Sequence, residues 1–259
     1  MRTPRAGTHL RVGVVLAAAL VAGCGVGHVT SRPLRDDSAR RAVPDPLVRR
    51  RVVIGQSVRG RPITAVELGD PDEPRRALVV GVIHGDETAG RAITRRLEQG
   101  PLPRALALWI VDELNPDGVA RRTRQNADGV DLNRNFPWQW RPLGRPGDPQ
   151  YSGTGPLSEP ESRAAHQLIV SLRPSITIWF HQPLGVTDLS GGDARIERRF
   201  ARLSGLPARR LTRYPGSAAG WQDHALPHST AFVVELPQGR PTASAAAHYA
   251  SAVLGVAAA

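Results

Sequence analysis

The chain has 259 residues, 41% of them hydrophobic, which is enough to build one substantial core. Its 34 basic residues are all arginine and exceed the 23 acidic ones, for a formal charge of +11. No block of clustered arginines and aromatics accompanies that charge, so nucleic acid is not expected as a partner, and the arginines read as a solvated surface. A single cysteine excludes a disulfide within the chain, and no repeat of solenoid period is visible.

Along the chain, Arg2, Arg5 and Arg11 precede an apolar run from Val12 to Ala22 that ends at Gly23-Cys24. A charged start followed by about a dozen apolar residues predicts an export signal, too short to span a bilayer core of about 30 Å. Val21-Ala22-Gly23-Cys24 resembles a bacterial lipobox. The resemblance implies acylation of Cys24 and a chain lipid-anchored to the outer face of the cytoplasmic membrane, or else secreted. Residues 1–23 are thus expected as a lipoprotein signal peptide, and 24–49, polar and proline-punctuated, as a flexible tether. A single catalytic domain is expected over 50–259.

Within that domain, short strands are predicted at 52–55 and 63–68, and β-rich apolar runs at 77–83, 106–111, 176–180 and 231–236. Nearly continuous apolar character predicts strands buried on both faces. Helices are predicted at 88–98, 159–172, 193–203 and 243–254. Ser158 and Glu161 are spaced for a capping box at the start of the second, with Pro160 tolerated in its first turn. Asn115-Pro116-Asp117-Gly118 reads as a tight turn. The alternation predicts an α/β fold: one domain with a mixed, mainly parallel central sheet covered by helices on both faces. Sites in such folds gather at the carboxyl ends of strands.

Ionisable residues fall where those ends are expected. His84 and Glu87 follow one strand, His181 follows another, and Glu235 lies near the end of a third. A His and a Glu separated by two intervening residues can converge on one ion, with a third ligand from elsewhere, since a catalytic zinc keeps three protein ligands. Glu235, among apolar residues, needs a partner or a function. Asn133 and Arg134 together can grip a carboxylate, because the guanidinium fork matches it bidentately.

Taken in order, His84-Gly85-Asp86-Glu87, Asn115-Pro116-Asp117-Gly118, Gly129 to Pro137, His181-Gln182-Pro183 and Phe232 to Glu235 resemble the zinc carboxypeptidase family, in its bacterial branch of murein peptide amidases. The likeness runs from about Arg50 to the C-terminus. It implies one zinc ion per chain held by His84, Glu87 and His181, with Glu235 as general base. Asn133 and Arg134 correspond to the pair that binds the substrate's terminal carboxylate. Asp131 corresponds to the carboxylate that orients the first histidine. Arg124 corresponds to the arginine that stabilises the oxyanion, with Arg121 as its competitor. Tyr214 is the nearest candidate for an aromatic cap on the substrate, and the segment after it is two residues shorter before Trp221 than in the digestive enzymes. Residues 218–221 are expected to shape the specificity pocket, without a charged residue among them to decide the preference.

The reading is therefore a monomeric zinc metallocarboxypeptidase or amidase. It would cut next to a C-terminal residue with a free carboxylate, with peptidoglycan stem peptides as the expected substrate. The alternatives are a peptide-scavenging carboxypeptidase, an N-acyl amino acid deacylase, or a non-catalytic lipoprotein that binds the cell wall.

Overall fold

The computed structural model describes residues 48–259. The signal segment, Cys24 and the tether as far as residue 47 lie outside them. Strands β1 (Val48–Gln56), β2 (Pro62–Gly69), β3 (Arg76–Val80), β4 (Ala107–Val111), β5 (Ile176–His181), β6 (Leu184–Asp188), β7 (Ala208–Arg209) and β8 (Thr230–Pro237) form an eight-stranded sheet. Its order is β1-β2-β4-β3-β5-β8-β6-β7. The central run β4-β3-β5-β8 is parallel, while β1, β2 and β6 join antiparallel, so the sheet is mixed and mainly parallel as expected.

All six residues of β5 are buried, which is the both-faces burial that its continuous apolar run predicts. Side chains alternate between two cores. Val79, Ile178, Phe180, Phe232 and Val234 pack against helices α1 (Gly90–Gln99), α4 (Ala194–Ser204) and α6 (Ala243–Ala257). Leu78, Val80 and Trp179 pack on the other face against α3 (Pro160–Leu172) and α5 (Ala218–Ala225). Each buried large apolar side chain contributes roughly 1.5–3 kcal/mol.

Several local expectations change. The strand predicted at 77–83 stops at Val80; Gly81 N still donates to the Val111 carbonyl at 2.9 Å, with no room for a side chain beside the Asp112 carbonyl, and the chain then leaves the sheet. His84 consequently sits on a loop, held by a hydrogen bond of 3.2 Å from Asn115 Nδ2 to the Ile83 carbonyl. Asn115-Pro116-Asp117-Gly118 is no isolated turn but the start of α2 (Pro116–Arg121): Asn115 Oδ1 accepts from Gly118 N, and Pro116 needs no N–H at that position. The capping box does not form. Glu159 is the N-cap of α3, and the Glu161 carboxylate instead accepts from Val58 N and Asn126 Nδ2. Strand β1 begins at Val48, inside the segment expected as tether. β6, β7, α2 and α5 have no counterpart among the predicted elements.

One buried group in α4 lacks a partner. Glu197 is fully buried and neither carboxylate oxygen has a hydrogen-bond partner. Burial, then the nearby Asp188 and Asp223, push its pKa from 4.5 up to about 8. The folded chain therefore holds a proton there that the unfolded chain loses above about pH 4.5. Stability should fall as pH rises from about 5 to 8. Glu197→Gln cannot ionise, and we expect it to exceed the wild type at pH 8 by on the order of 2–4 kcal/mol. That advantage should shrink at pH 5. Urea melts at the two pH values check this, and an equal difference at both would contradict a neutral Glu197.

Candidate active site

The parallel strands deliver the site's groups to one edge of the sheet. β5 ends on His181, whose register partner in β8 is Glu235. The loop after β3 carries His84, and the turn into α1 carries Glu87. Gly85 lies so close to the Gly118 backbone that no side chain fits between them, which fixes this turn against α2. Among the described residues, His84, Glu87 and His181 form the group whose ligand atoms converge within 4.8 Å.

Both imidazoles present Nδ1 to the same point. The two Nδ1 atoms are 3.1 Å apart, and the Glu87 carboxylate lies 3.0 Å from that of His84 and 2.9 Å from that of His181. Two like ring nitrogens and a carboxylate facing one another form a donor set suited to a divalent cation such as zinc. Burial disfavours a charge on His84, but Asp131 and Glu87 outweigh it and raise its pKa. Burial likewise opposes ionisation of Glu87, yet His84 and His181 hold its pKa well below the ordinary carboxylate range.

Asp131 has no exposed surface. It accepts from His84 Nε2 at 3.0 Å, from Arg124 Nε at 3.0 Å and from its own loop at Asn133 N, 2.9 Å. Despite burial, these partners hold its pKa far down. Arg124 also donates Nη1 to Glu87 at 2.9 Å, so it spans the two carboxylates. Arg124 lines the cleft, whereas Arg121, exposed at the end of α2, is not among the lining residues.

Asn133 and Arg134 lie in a short 3₁₀ turn, Leu132–Arg134. Arg134 is 3% exposed, and its Nε has no partner. The Tyr214 ring covers the guanidinium at 4.1 Å in a cation–π contact, and Nη1 donates to the Asn133 carbonyl at 2.8 Å. Asn133 approaches His181 Nε2 at 3.5 Å and accepts from Ala218 N at 2.9 Å. Glu235 is half-buried, and burial raises its pKa. Glu87 adds to the rise and His181 opposes it.

These groups line one cleft of about 420 Å³. The pocket-shaping segment predicted at 218–221 contributes Ala219 and Gly220, and Ser217 beside it. The sequence reading missed Asp188, Ser190 and Arg213, which line the same cleft. Their segment carries β6 and β7, which were not predicted, so nothing in the pattern linked them to the site.

The zinc carboxypeptidase family profile matches residues 41–186. Murein peptide amidase A of Escherichia coli is 30% identical over 181 residues, covering 64% of this chain and 74% of that protein. Carboxypeptidase SOL1 of Arabidopsis thaliana is 33% identical over 49% of this chain, a match that spans only 28% of the plant protein's length. Among solved structures, the murein-tripeptide amidase of Escherichia coli O157 superposes with a TM-score of 0.63 at 25% identity, covering 86% of this chain and 96% of that one.

If Asp131 orients His84, then Asp131→Asn, which keeps the shape but not the charge, should weaken zinc binding about 10- to 100-fold. Competition against a chromophoric chelator measures this. Unchanged affinity would assign Asp131 to the loop alone.

Proposed function

The chain belongs to the zinc carboxypeptidase family, a family of peptide hydrolases, and on that premise we propose that it removes a C-terminal residue by hydrolysing the adjacent amide bond. The observation that carries this is the convergence of His84, Glu87 and His181 with Glu235, Arg124 and the Asn133-Arg134 pair on one cleft.

His84, Glu87 and His181 would hold a single zinc ion. When bound, the ion polarises the scissile carbonyl and lowers the pKa of a coordinated water. Glu235 takes the proton of the attacking water and passes it to the leaving amine. Its raised pKa suits both steps, because a base and acid in turn works best with a pKa near the working pH. Arg134 supplies the terminal carboxylate with a buried guanidinium whose Nε has no partner in the protein. Tyr214 packs over that guanidinium and excludes water from the pair. Arg124 is anchored to Asp131 through Nε and Nη2, and Nη1, which gives one N–H to Glu87, has a second N–H for the developing oxyanion.

The substrate reading is a peptidoglycan stem peptide with a free terminal carboxylate. It is supported by the likeness to murein peptide amidase A over about three quarters of that protein. The export and acylation pattern ending at Cys24 supports a protein that works outside the cytoplasmic membrane, tethered by lipid or secreted.

A digest of purified stem peptides, followed by mass with and without chelator, tests the reaction and its substrate together. We expect loss of the terminal residue only without chelator. Glu235→Gln should lower kcat by at least about 10²-fold while zinc content stays near one per chain. Near-normal turnover in that variant would overturn the mechanism.

A further inference from the structure

The helical arginines are not shared evenly between the two faces of the sheet. One face is covered by α1, α6 and α4, with α6 packed between the other two. The opposite face is covered by α3 and α5, which together hold one arginine, Arg163, bonded to the Leu157 and Ser158 carbonyls. By contrast α4 alone carries Arg195, Arg198, Arg199 and Arg202, and α1 carries Arg91, Arg95 and Arg96.

The helical period puts these charges outward. In α4 the buried residues include Glu197, Phe200, Ala201 and Ser204, and the four arginines fall at their own i, i+3, i+4, i+7 positions, all exposed. The acids nearby are used elsewhere. Asp193 pairs with Arg195 at 2.8 Å, Asp112 lies 3.6 Å from Arg91 and 4.0 Å from Arg95, and Glu113 lies 2.8 Å from Arg91. Glu98, the acid of α1, pairs with Arg51 at 3.1 Å. Glu197, the acid of α4, is fully buried and protonated at pH 7. Helix α6 holds neither an acid nor an arginine. Among the described residues Arg96, Arg198 and Arg202 have no acidic partner, and Arg199 gives its Nε to the Gly255 carbonyl at 3.0 Å, which leaves its charge uncancelled.

These charges do not converge on a point. A single small anion needs donors aimed at one place, whereas arginines on two helices with an uncharged helix between them match a surface that carries many phosphates. Leu203, 39% exposed, packs on Gly255 at the seam of α4 and α6. An apolar side chain there gains from a lipid interface and nothing from a hydrated polymer.

We propose that the layer of α1, α6 and α4 is the face this protein lays on an anionic phospholipid surface, with Arg96, Arg198, Arg199 and Arg202 against the lipid phosphates. The inference goes beyond the exopeptidase reading and does not depend on it. Acylation of Cys24, which the lipobox implies, would hold the chain near such a surface; the arginine layer selects the face that meets it. No residue of these three helices lines the catalytic cleft, so the contact does not occupy it.

The test uses the chain from residue 24, which keeps every described residue, with Cys24→Ala so that no acyl group takes part. Sedimentation with vesicles of phosphatidylcholine, or of equal parts phosphatidylcholine and phosphatidylglycerol, reads the affinity. The phosphatidylglycerol vesicles should be strongly preferred, and the preference should vanish near 1 M salt, where the Debye length is about 3 Å. Joint replacement Arg96→Gln, Arg198→Gln and Arg202→Gln should weaken that binding about 100-fold, about fivefold for each arginine near the surface. An equal charge change on exposed arginines outside the layer, Arg121→Gln with Arg141→Gln and Arg145→Gln, should leave it within a few fold of the starting chain. Equal binding of the starting chain to the two vesicles would overturn the proposal without any variant. Equal losses in the two triple variants would show that net charge alone acts, and would overturn the assignment of the face. Equal affinity for soluble polyphosphate, counted per phosphate, would assign the layer to an anionic polymer and overturn the lipid surface.

Discussion

Asp131 is fully buried yet ionised, because its oxygens receive His84 Nε2, Arg124 Nε and the Asn133 backbone N–H. Each donor belongs to a different part of the site. The imidazole is committed through Nε2, so Nδ1 is the nitrogen left to face Glu87 and His181. The guanidinium is anchored as a rigid plane, which fixes where Nη1 points beside Glu87. The backbone contact shapes the turn that presents Asn133 and Arg134. A carboxylate with this much hydrogen bonding can afford burial that would otherwise neutralise it. His84, Arg124 and the turn carrying Asn133 and Arg134 are thus referred to a single point, and an error there would be felt by all three.

The sheet makes that coordination possible over long sequence distances. His181 and Glu235 are 54 residues apart but are register partners in parallel strands, so their separation is set by strand pairing and not by loops. Both cores press on these strands from opposite faces. A parallel strand buried on both sides has no solvated face, so its ionisable side chains gather at its ends. Chemistry collects at the carboxyl edge for that reason.

The same logic explains what was legible in the sequence. Strands such as β5 and β8 announce themselves as unbroken apolar runs, and the polar residues ending them stand out against that background. His84, Glu87, His181, Glu235 and the Asn133-Arg134 pair could all be picked out this way, with family resemblance supplying their roles. What was not legible depended on contacts made across space. Glu161 has the spacing of a capping residue, but Val58 and Asn126 claim its carboxylate. The run through Gly81 looks like continuous strand, although its pairing in the sheet ends at Val80. Asp188 ends a strand too short and too polar at its start to be recognised, so its place in the cleft appears only when β6 pairs with β8.

Charge in this protein has to be judged locally. A formal +11 suggests that anionic partners should dominate, but arginines such as Arg50, Arg51, Arg91 and Arg195 are paired with acids at the surface, where such pairs are worth little. Inside the cleft the count is small and each charge has a defined place. Arg134 is a buried guanidinium with Tyr214 over its face, the Asn133 carbonyl at Nη1, Asp131 at 4.0 Å and no partner on Nε. Asp188 is a buried side chain held by Ser190 and Leu211. Supports of this kind fix where a group sits before anything enters the cleft, so the cost of ordering it is met on folding and not at binding.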